Sequence, residues 1–296
     1  MFSYLPWNIS INKLILVIGN LPDNLDRILI TNGTLITPAL AEKFVVHNVF
    51  PYISIDGPPE LHNAQRPYRD KRYQKDSYAD AVRGLQLTRS VGIEPGISIT
   101  VTEEMIPNLP QILEWLIINL GVKSVGFNML EAIPGRSYFS NEYGRRFADA
   151  LLRCQTICEK YKVYEERAMR KIKQFAKQEI YLFDCAACGE QITVAPDGQV
   201  GVCQGFVGTR EFFSGNVLDR EYDPRIDPIF QEWSTISPIN NPDCFYCPGL
   251  GICGGGCPRN PYIEGRGIHG VDKRFCEHVL KIHKWIVFQL YDKLYK

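Results

Sequence analysis

From residue 27 to residue 130 the chain switches between two hydrophobic periods. Short β-branched runs, "RILIT" (27–31), "YISID" (52–56), "ISITV" (97–101) and "SVGFN" (124–128), have the length and composition of buried strands. Helical spacing fills the intervals at about 37–46, 77–92 and 107–120. The last of these opens with Pro107 and Pro110 in or near its first turn, where proline is tolerated. Strand–helix–strand order with short connections predicts parallel strands joined by right-handed crossovers, hence an α/β sheet or partial barrel. Such sheets place their chemistry at the carboxyl ends of the strands, which here carry "TNGT", "SIDG", "TVTEE" and "FNMLEA".

A long helical region, roughly 142–179, separates this pattern from a different second half. Residues 181–276 hold eight of the ten cysteines and many glycines. "ITVAPDGQVGVC" (192–203) predicts a β-hairpin turning at Asp197-Gly198. The rest of 181–270 is rich in Gly, Pro and loops and poor in long apolar periodicity, so metal binding is expected to supply folding free energy there. The closing stretch, 271–296, has the spacing of one amphipathic helix. A boundary near residue 180 divides a first domain, 1–180, from a second, 181–296.

Composition narrows the function classes. Lys plus Arg and Asp plus Glu both number 33, so no net field draws the chain to nucleic acid or an anionic membrane. The basic stretch "RDKRYQK" (69–75) fits a solvated loop. No run approaches the roughly 18 apolar residues of a membrane span, and the opening "MFSYLPWNIS" lacks the basic leader and cleavage site of a signal peptide. A cytoplasmic location follows as the expectation. In that reducing compartment ten cysteines point to metal or redox chemistry rather than disulfide staples.

The cysteine intervals are informative. Cys185 and Cys188 form CX2C, followed by nine residues, Gly198, four residues and Cys203. After a 40-residue gap come Cys244 and Cys247, then Cys253, Cys257 and, after 18 intervening residues, Cys276. Eight thiols make two sets of four, as two [4Fe–4S] clusters require. "GGG" before Cys257 allows the backbone to come close and turn with positive φ. Two CX2C pairs also suit zinc, but they stand further apart than a zinc ribbon places them, and zinc leaves four thiols for a second site. Cys154 and Cys158 form CX3C without a third cysteine, since position 161 is Tyr; inside a helical pattern they fit buried thiols. His278 follows Cys276 by two residues on a helix and faces elsewhere, so it is not counted as a ligand.

The string CX9GX4C, gap, CX2CX5CX3C, gap, C resembles the SPASM domain, the twin-cluster extension of radical SAM maturases, over roughly residues 180–280. The resemblance implies two auxiliary [4Fe–4S] clusters with crossed ligation. Cys185, Cys188, Cys203 and Cys257 would hold the first, and Cys244, Cys247, Cys253 and Cys276 the second. With four thiolates each, neither would have an open iron. The first half resembles the radical SAM core from its third strand onward: "ILITNGTLIT" is similar to that strand, and "YISIDGPPELHNAQR" to the fourth. By that resemblance Asn32, Ser54 and Arg66 occupy regions that contact S-adenosylmethionine (SAM).

The chain also departs from that family. The CX3CX2C that holds the SAM-cleaving cluster is absent, as is a Gly-Gly-Glu-Pro-like segment. The expectation is therefore a partial radical SAM (β/α) barrel lacking its first strands, followed by a SPASM domain. Residues 11–25 would form the helix before the third strand. "RILIT" would lie at an exposed parallel edge, partly covered by "MFSYLPWNIS" or completed by a separate N-terminal polypeptide. Three function classes follow: an N-terminally incomplete maturase of a ribosomally made peptide or protein, a non-enzymatic iron–sulfur electron-transfer or peptide-binding module, and a structural zinc protein. The implied partners are a peptide or protein substrate and an electron-donor protein. Relatives that mature sulfatases carry an Asp as catalytic base after the cysteine equivalent to Cys203. Here that residue is Gln204, which argues for another peptide substrate.

Overall fold

The computed structural model describes residues 27–68, 76–133 and 142–292. The opening decapeptide, the helix expected over 11–25 and the basic stretch 69–75 lie outside the described residues. The chain divides into two compact units, one of Met1–Leu130 with Ala150–Met169, the other of Glu131–Asp149 with Arg170–Lys296.

The first unit is built on five strands, β1 (Arg27–Thr31), β2 (Val49–Ser54), β3 (Gly96–Val101), β4 (Ser124–Met129) and β5 (Tyr164–Glu165), ordered 1-2-3-4-5 and all parallel. Sequential order without reversal means each crossover moves one strand in the same direction, as in a barrel wall and unlike a doubly wound sheet. Ile53, Ile97, Ile99, Val125 and Phe127 are buried on the sheet.

Three expected helices form with their bounds nearly as the spacing predicts: α1 (Pro38–Val46), α3 (Ser77–Ser90) and α4 (Leu109–Leu120). Each has a local cause. The Thr37 hydroxyl accepts a hydrogen bond from the Leu40 amide, and the Asp76 carboxylate one from Ala79, closing two N-termini. Gly121, at φ 61°, ends α4 in the left-handed conformation. Pro107 falls in a short 3-10 turn, Ile106–Asn108, just before α4.

Two features of this unit were not anticipated. A short helix, α2 (Pro59–Gln65), follows β2. The helical region 142–179 is two helices, α5 (Tyr143–Tyr161) and α6 (Glu166–Lys177), with β5 between them. Lys162, at φ 57°, breaks the first helix. The Glu165 carboxylate starts the second by accepting the Arg167 and Ala168 amides at 2.9 and 2.8 Å. A continuous polar–apolar helical pattern hid a two-residue strand.

The second unit has a three-stranded antiparallel sheet, β6 (Thr193–Val194), β7 (Gln199–Gly201) and β8 (Phe213–Asn216). Its first two strands are the expected hairpin, with Gly198 at φ 86° in the turn. Beneath it lies an aromatic core. Phe206 contacts Phe212, Trp233 and Tyr262 edge-on, with ring centroids 5.0, 6.1 and 5.5 Å apart. Ala187, Val202, Cys203 and Ile268 complete the cluster. Short helices α7 (Pro228–Ser234), α8 (Leu250–Cys253) and α9 (Arg259–Ile263) connect to α10 (Lys273–Trp285). The closing helix therefore starts two residues later than 271, capped by Asp272, and widens into π-helix over Ile286–Leu290. Its buried face, Phe275, His278, Val279 and Ile282, has helical spacing.

Candidate functional site

Four cysteines of the second half line one pocket, and the other four act on one another electrostatically. Cys185 and Cys188 flank a single 3-10 turn, with the Cys188 amide donating to the Cys185 carbonyl at 3.0 Å. Cys203 follows β7, and its Sγ accepts the Gly205 amide at 3.3 Å. Cys257 comes from the distant glycine-rich segment.

Electrostatics tie these four together. A hydrogen bond between the Cys185 and Cys188 thiols lowers Cys185 to about 7, against the effect of burial, and raises Cys188. Cys257 and Cys203 add to the rise at Cys188. Burial drives Cys257 up, with Cys185, Glu131 and Cys203 contributing. Burial likewise raises Cys203 to about 11, with help from Cys185 and Glu131.

The second group is Cys244, Cys247, Cys253 and Cys276. All four line one small pocket, together with Pro238, Leu250, Val279 and Leu280. Cys276 is raised to about 12 by burial and then by Cys253, Cys244 and Cys247. Burial raises Cys253 to about 11 while the Lys171 ammonium opposes it, and burial with the Cys247 charge raises Cys244. Wherever another cysteine contributes to one of these shifts, it belongs to the same group.

Among the described residues no group of three or more His, Cys, Asp or Glu side chains is gathered as a metal ion requires. A single tetrahedral zinc brings its sulfurs to within roughly 3.8 Å of one another, given Zn–S near 2.3 Å.

The glycines before Cys257 all sit in the left-handed region, at φ 70°, 81° and 78° for Gly254, Gly255 and Gly256. A Cβ on Gly254 would stand 2.5 Å from the Asp184 nitrogen, and one on Gly256 2.6 Å from the Phe275 ring. Both the turn and the close approach require glycine. Cys154 and Cys158 are buried in α5, and burial raises Cys158 to about 12. His278 lies within the core of the second unit, stacked on Phe147 at 5.0 Å.

At the strand ends of the first unit, the three sequence-derived positions differ in their surroundings. Asn32 follows β1, and its Oδ1 accepts hydrogen bonds from the Thr34 amide and hydroxyl at 3.2 and 3.0 Å. Ser54 is buried at the end of β2. Arg66 forms a two-point pair with Asp56, Nε to Oδ2 at 2.6 Å and Nη2 to Oδ1 at 3.0 Å. Asp56 also accepts the Thr100 amide at 3.0 Å, and its own amide donates to His62 Nδ1 at 3.2 Å. Nearby, the Asn128 amide donates to Ser98 Oγ at 3.0 Å, and Arg167 Nε to the Phe127 carbonyl at 2.5 Å. Asp56 is a functional candidate that the sequence reading passed over, although it stands inside the strand end "SIDG". Lys171 and Asp184, whose ion pair is 2.6 Å long, had no such signal.

No family profile matches the chain. A serine-type anaerobic sulfatase-maturating enzyme of Klebsiella aerogenes is 24% identical over 241 residues, 79% of this chain and 58% of that protein. An uncharacterized protein of Methanocaldococcus jannaschii is 35% identical over 108 residues, 36% of each chain. Among solved structures, native anSMEcpe with bound AdoMet and Cp18Cys peptide superposes with a TM-score of 0.74 at 19% identity, over 91% of this chain and 76% of that one. Streptococcus suis SuiB bound to S-adenosylmethionine gives 0.60 at 16% identity, over 90% and 62%. The chain spans between about a third and three-fifths of the length of the first two relatives.

Proposed function

From the premise that this chain is a relative of the radical SAM maturases, homologous to the anaerobic sulfatase-maturating enzymes, we propose that it serves the modification of a ribosomally made peptide or protein and carries two auxiliary [4Fe–4S] clusters. The observation that carries this reading is the pocket lined by Cys244, Cys247, Cys253 and Cys276, with the other four cysteines acting on one another electrostatically. Cys185, Cys188, Cys203 and Cys257 hold one cluster; Cys244, Cys247, Cys253 and Cys276 hold the other. When bound, four-thiolate clusters supply one-electron transfer rather than an open iron for substrate. The donor set fits, since thiolates are the ligands such clusters take.

The chain's own residues define the rest. Asn32 follows β1 and Ser54 ends β2, at the carboxyl ends of parallel strands where SAM would lie; Arg66 ends α2, and Asp56, just beyond β2, holds its guanidinium in one orientation. None of the 296 residues forms CX3CX2C, so cleavage of SAM is not assigned to them. The second reading is an iron–sulfur module that passes electrons or holds a peptide for a partner. The substrate is a peptide, in keeping with the peptide-bound anSMEcpe neighbours. A sulfatase-type proton abstraction is not proposed, because the Gln204 amide, which accepts from Gln191 Nε2 at 3.1 Å, has no basic carboxylate.

Anaerobic reconstitution tests the assignment. The expected product is brown, absorbs broadly near roughly 400 nm and holds roughly eight irons per chain. Colourless protein with stoichiometric zinc would sink it. With dithionite and SAM the reconstituted chain alone should give no 5′-deoxyadenosine; turnover by this chain alone would show that it carries a SAM-cleaving iron.

A further inference from the structure

The least expected charge in the second unit is Lys171, which belongs to α6 and is 1% exposed. Its Nζ donates to the Cys253 carbonyl at 2.7 Å and to Asp184 Oδ1 at 2.6 Å. The ammonium also stands over two rings, 4.8 Å from the Tyr181 centroid and 5.2 Å from that of Phe275. Asp184 immediately precedes Cys185 and is approached by Arg170 as well, at 3.6 Å. Two backbone bonds strap this segment to the other cysteine loop, Tyr181 amide to Gly251 carbonyl at 2.8 Å and Asp184 amide to Gly254 carbonyl at 2.7 Å. One buried cation thus touches the backbone of a ligand in one group and the side chain beside a ligand of the other.

Stability alone gives a poor account of it. Burying an ammonium costs several kcal/mol, and an apolar side chain of similar volume often serves as well or better where an ion pair is only structural. A fixed positive charge is useful where a neighbouring group gains negative charge. A thiolate-ligated cluster does so on reduction, and its potential depends on net charge and burial.

We propose that Lys171 is a positioning residue for electron transfer, whose buried charge raises the reduction potential of the cluster held by Cys244, Cys247, Cys253 and Cys276. This rests on the two-cluster reading. In the titration the electron taken up by such a cluster would come from dithionite; Lys171 would change the energy of the reduced state and exchange neither electron nor proton.

The test is an anaerobic redox titration of the reconstituted chain, followed by the EPR signal of the reduced clusters. Lys171→Gln keeps a donor of similar reach and removes the charge. It should lower one of the two midpoint potentials, with a tenfold fall in the reduced-to-oxidised ratio at fixed potential, about 59 mV for one electron. Lys171→Arg should restore the wild-type value, and Asp184→Asn should move the same potential upward. Opposite signs for the two partners of one ion pair are a charge effect that loss of packing does not produce. Unmoved potentials with full iron content in Lys171→Gln overturn the inference and leave the clusters standing. If Lys171→Gln does not load, Asp184→Asn carries the test, and a downward or absent shift there overturns it. Wild-type protein without two clusters removes the premise itself, which iron analysis reports separately.

Discussion

Replacing Arg66 with alanine tests its support of the strand ends apart from the proposed SAM contact. In the structure Asp56 is 1% exposed and receives Arg66 through two hydrogen bonds, while the Thr100 amide supplies a third. Without Arg66 the carboxylate stays buried with its main countercharge gone. Breaking a buried pair in this way costs about 3–5 kcal/mol. Arg66 keeps 17% of its side-chain surface in water, and the Thr100 bond survives, so the lower end applies, about 3 kcal/mol. For a domain of this size each kcal/mol moves the midpoint by roughly 2–4 °C, giving a fall of roughly 6–12 °C by calorimetry. Arg66→Lys, which keeps the charge and loses the fork, should fall between wild type and alanine. Asp56→Asn combined with Arg66→Ala should cost less than the two single changes added, because the charge left stranded by Arg66→Ala is gone. An Arg66→Ala protein that unfolds within about 2 °C of wild type would falsify the buried-pair argument. Weakened SAM binding in that same protein would assign Arg66 to the ligand alone.

His62 gives a pH signature. Burial lowers it from the ordinary 6.5 to about 4, with the Asp56 charge opposing, so the unfolded chain binds its proton more readily. The stabilisation is therefore complete above about 6.5 and fades as pH falls toward 4, by up to roughly 3 kcal/mol, since each pH unit between the two values is worth about 1.4 kcal/mol. His62→Asn, whose side-chain oxygen can accept the Asp56 amide, should flatten stability over that window; an unchanged slope in denaturant titrations would reject the assignment. For the clusters, Cys257→Ala and Cys185→Ala should abolish the same EPR signal, while Cys247→Ala and Cys276→Ala abolish the other. Loss of one signal by both Cys257→Ala and Cys247→Ala would mean that the groups are divided wrongly.

Where the sequence was legible, the signal was local. The β-branched runs that became β1 to β4 are bounded by turns, and α1, α3 and α4 carry their own start or stop signals in Thr37, Asp76 and Gly121. The hairpin at Asp197-Gly198 is dictated by its turn. What escaped depends on distant partners. β5 is two residues long and exists because Ser124 and Val125 offer an edge to Tyr164 and Glu165. Phe206, Phe212, Trp233 and Tyr262 are spread over 57 positions of a glycine-rich stretch, and no periodicity reveals that their rings meet. The second half also has an apolar centre of its own, in which four rings and Ile268 pack together. Lys171 is invisible for a related reason. On α6 it is one cation among several, and only the fold reveals that this one is buried beside Cys253 while its neighbours are more exposed.

The aromatic core and the cysteine groups bear on each other through one short segment. Residues 244–257 contribute Cys244, Cys247 and Cys253 to one group and Cys257 to the other, so the chain passes from one to the next across three glycines. Those glycines are held on both sides, Gly254 against the Asp184 nitrogen and Gly256 against Phe275 on α10. Just beyond Cys257, Arg259 donates to the Gly205 and Ala132 carbonyls and lies over Phe206. The loop that carries Cys203 is thereby fixed to the loop that carries Cys257, on top of the aromatic core. An error in the glycine turn would misplace Cys253 and Cys257 together, one ligand from each group. This coupling explains why the segment needs three consecutive left-handed residues: a side chain at either end would displace cysteines of both groups.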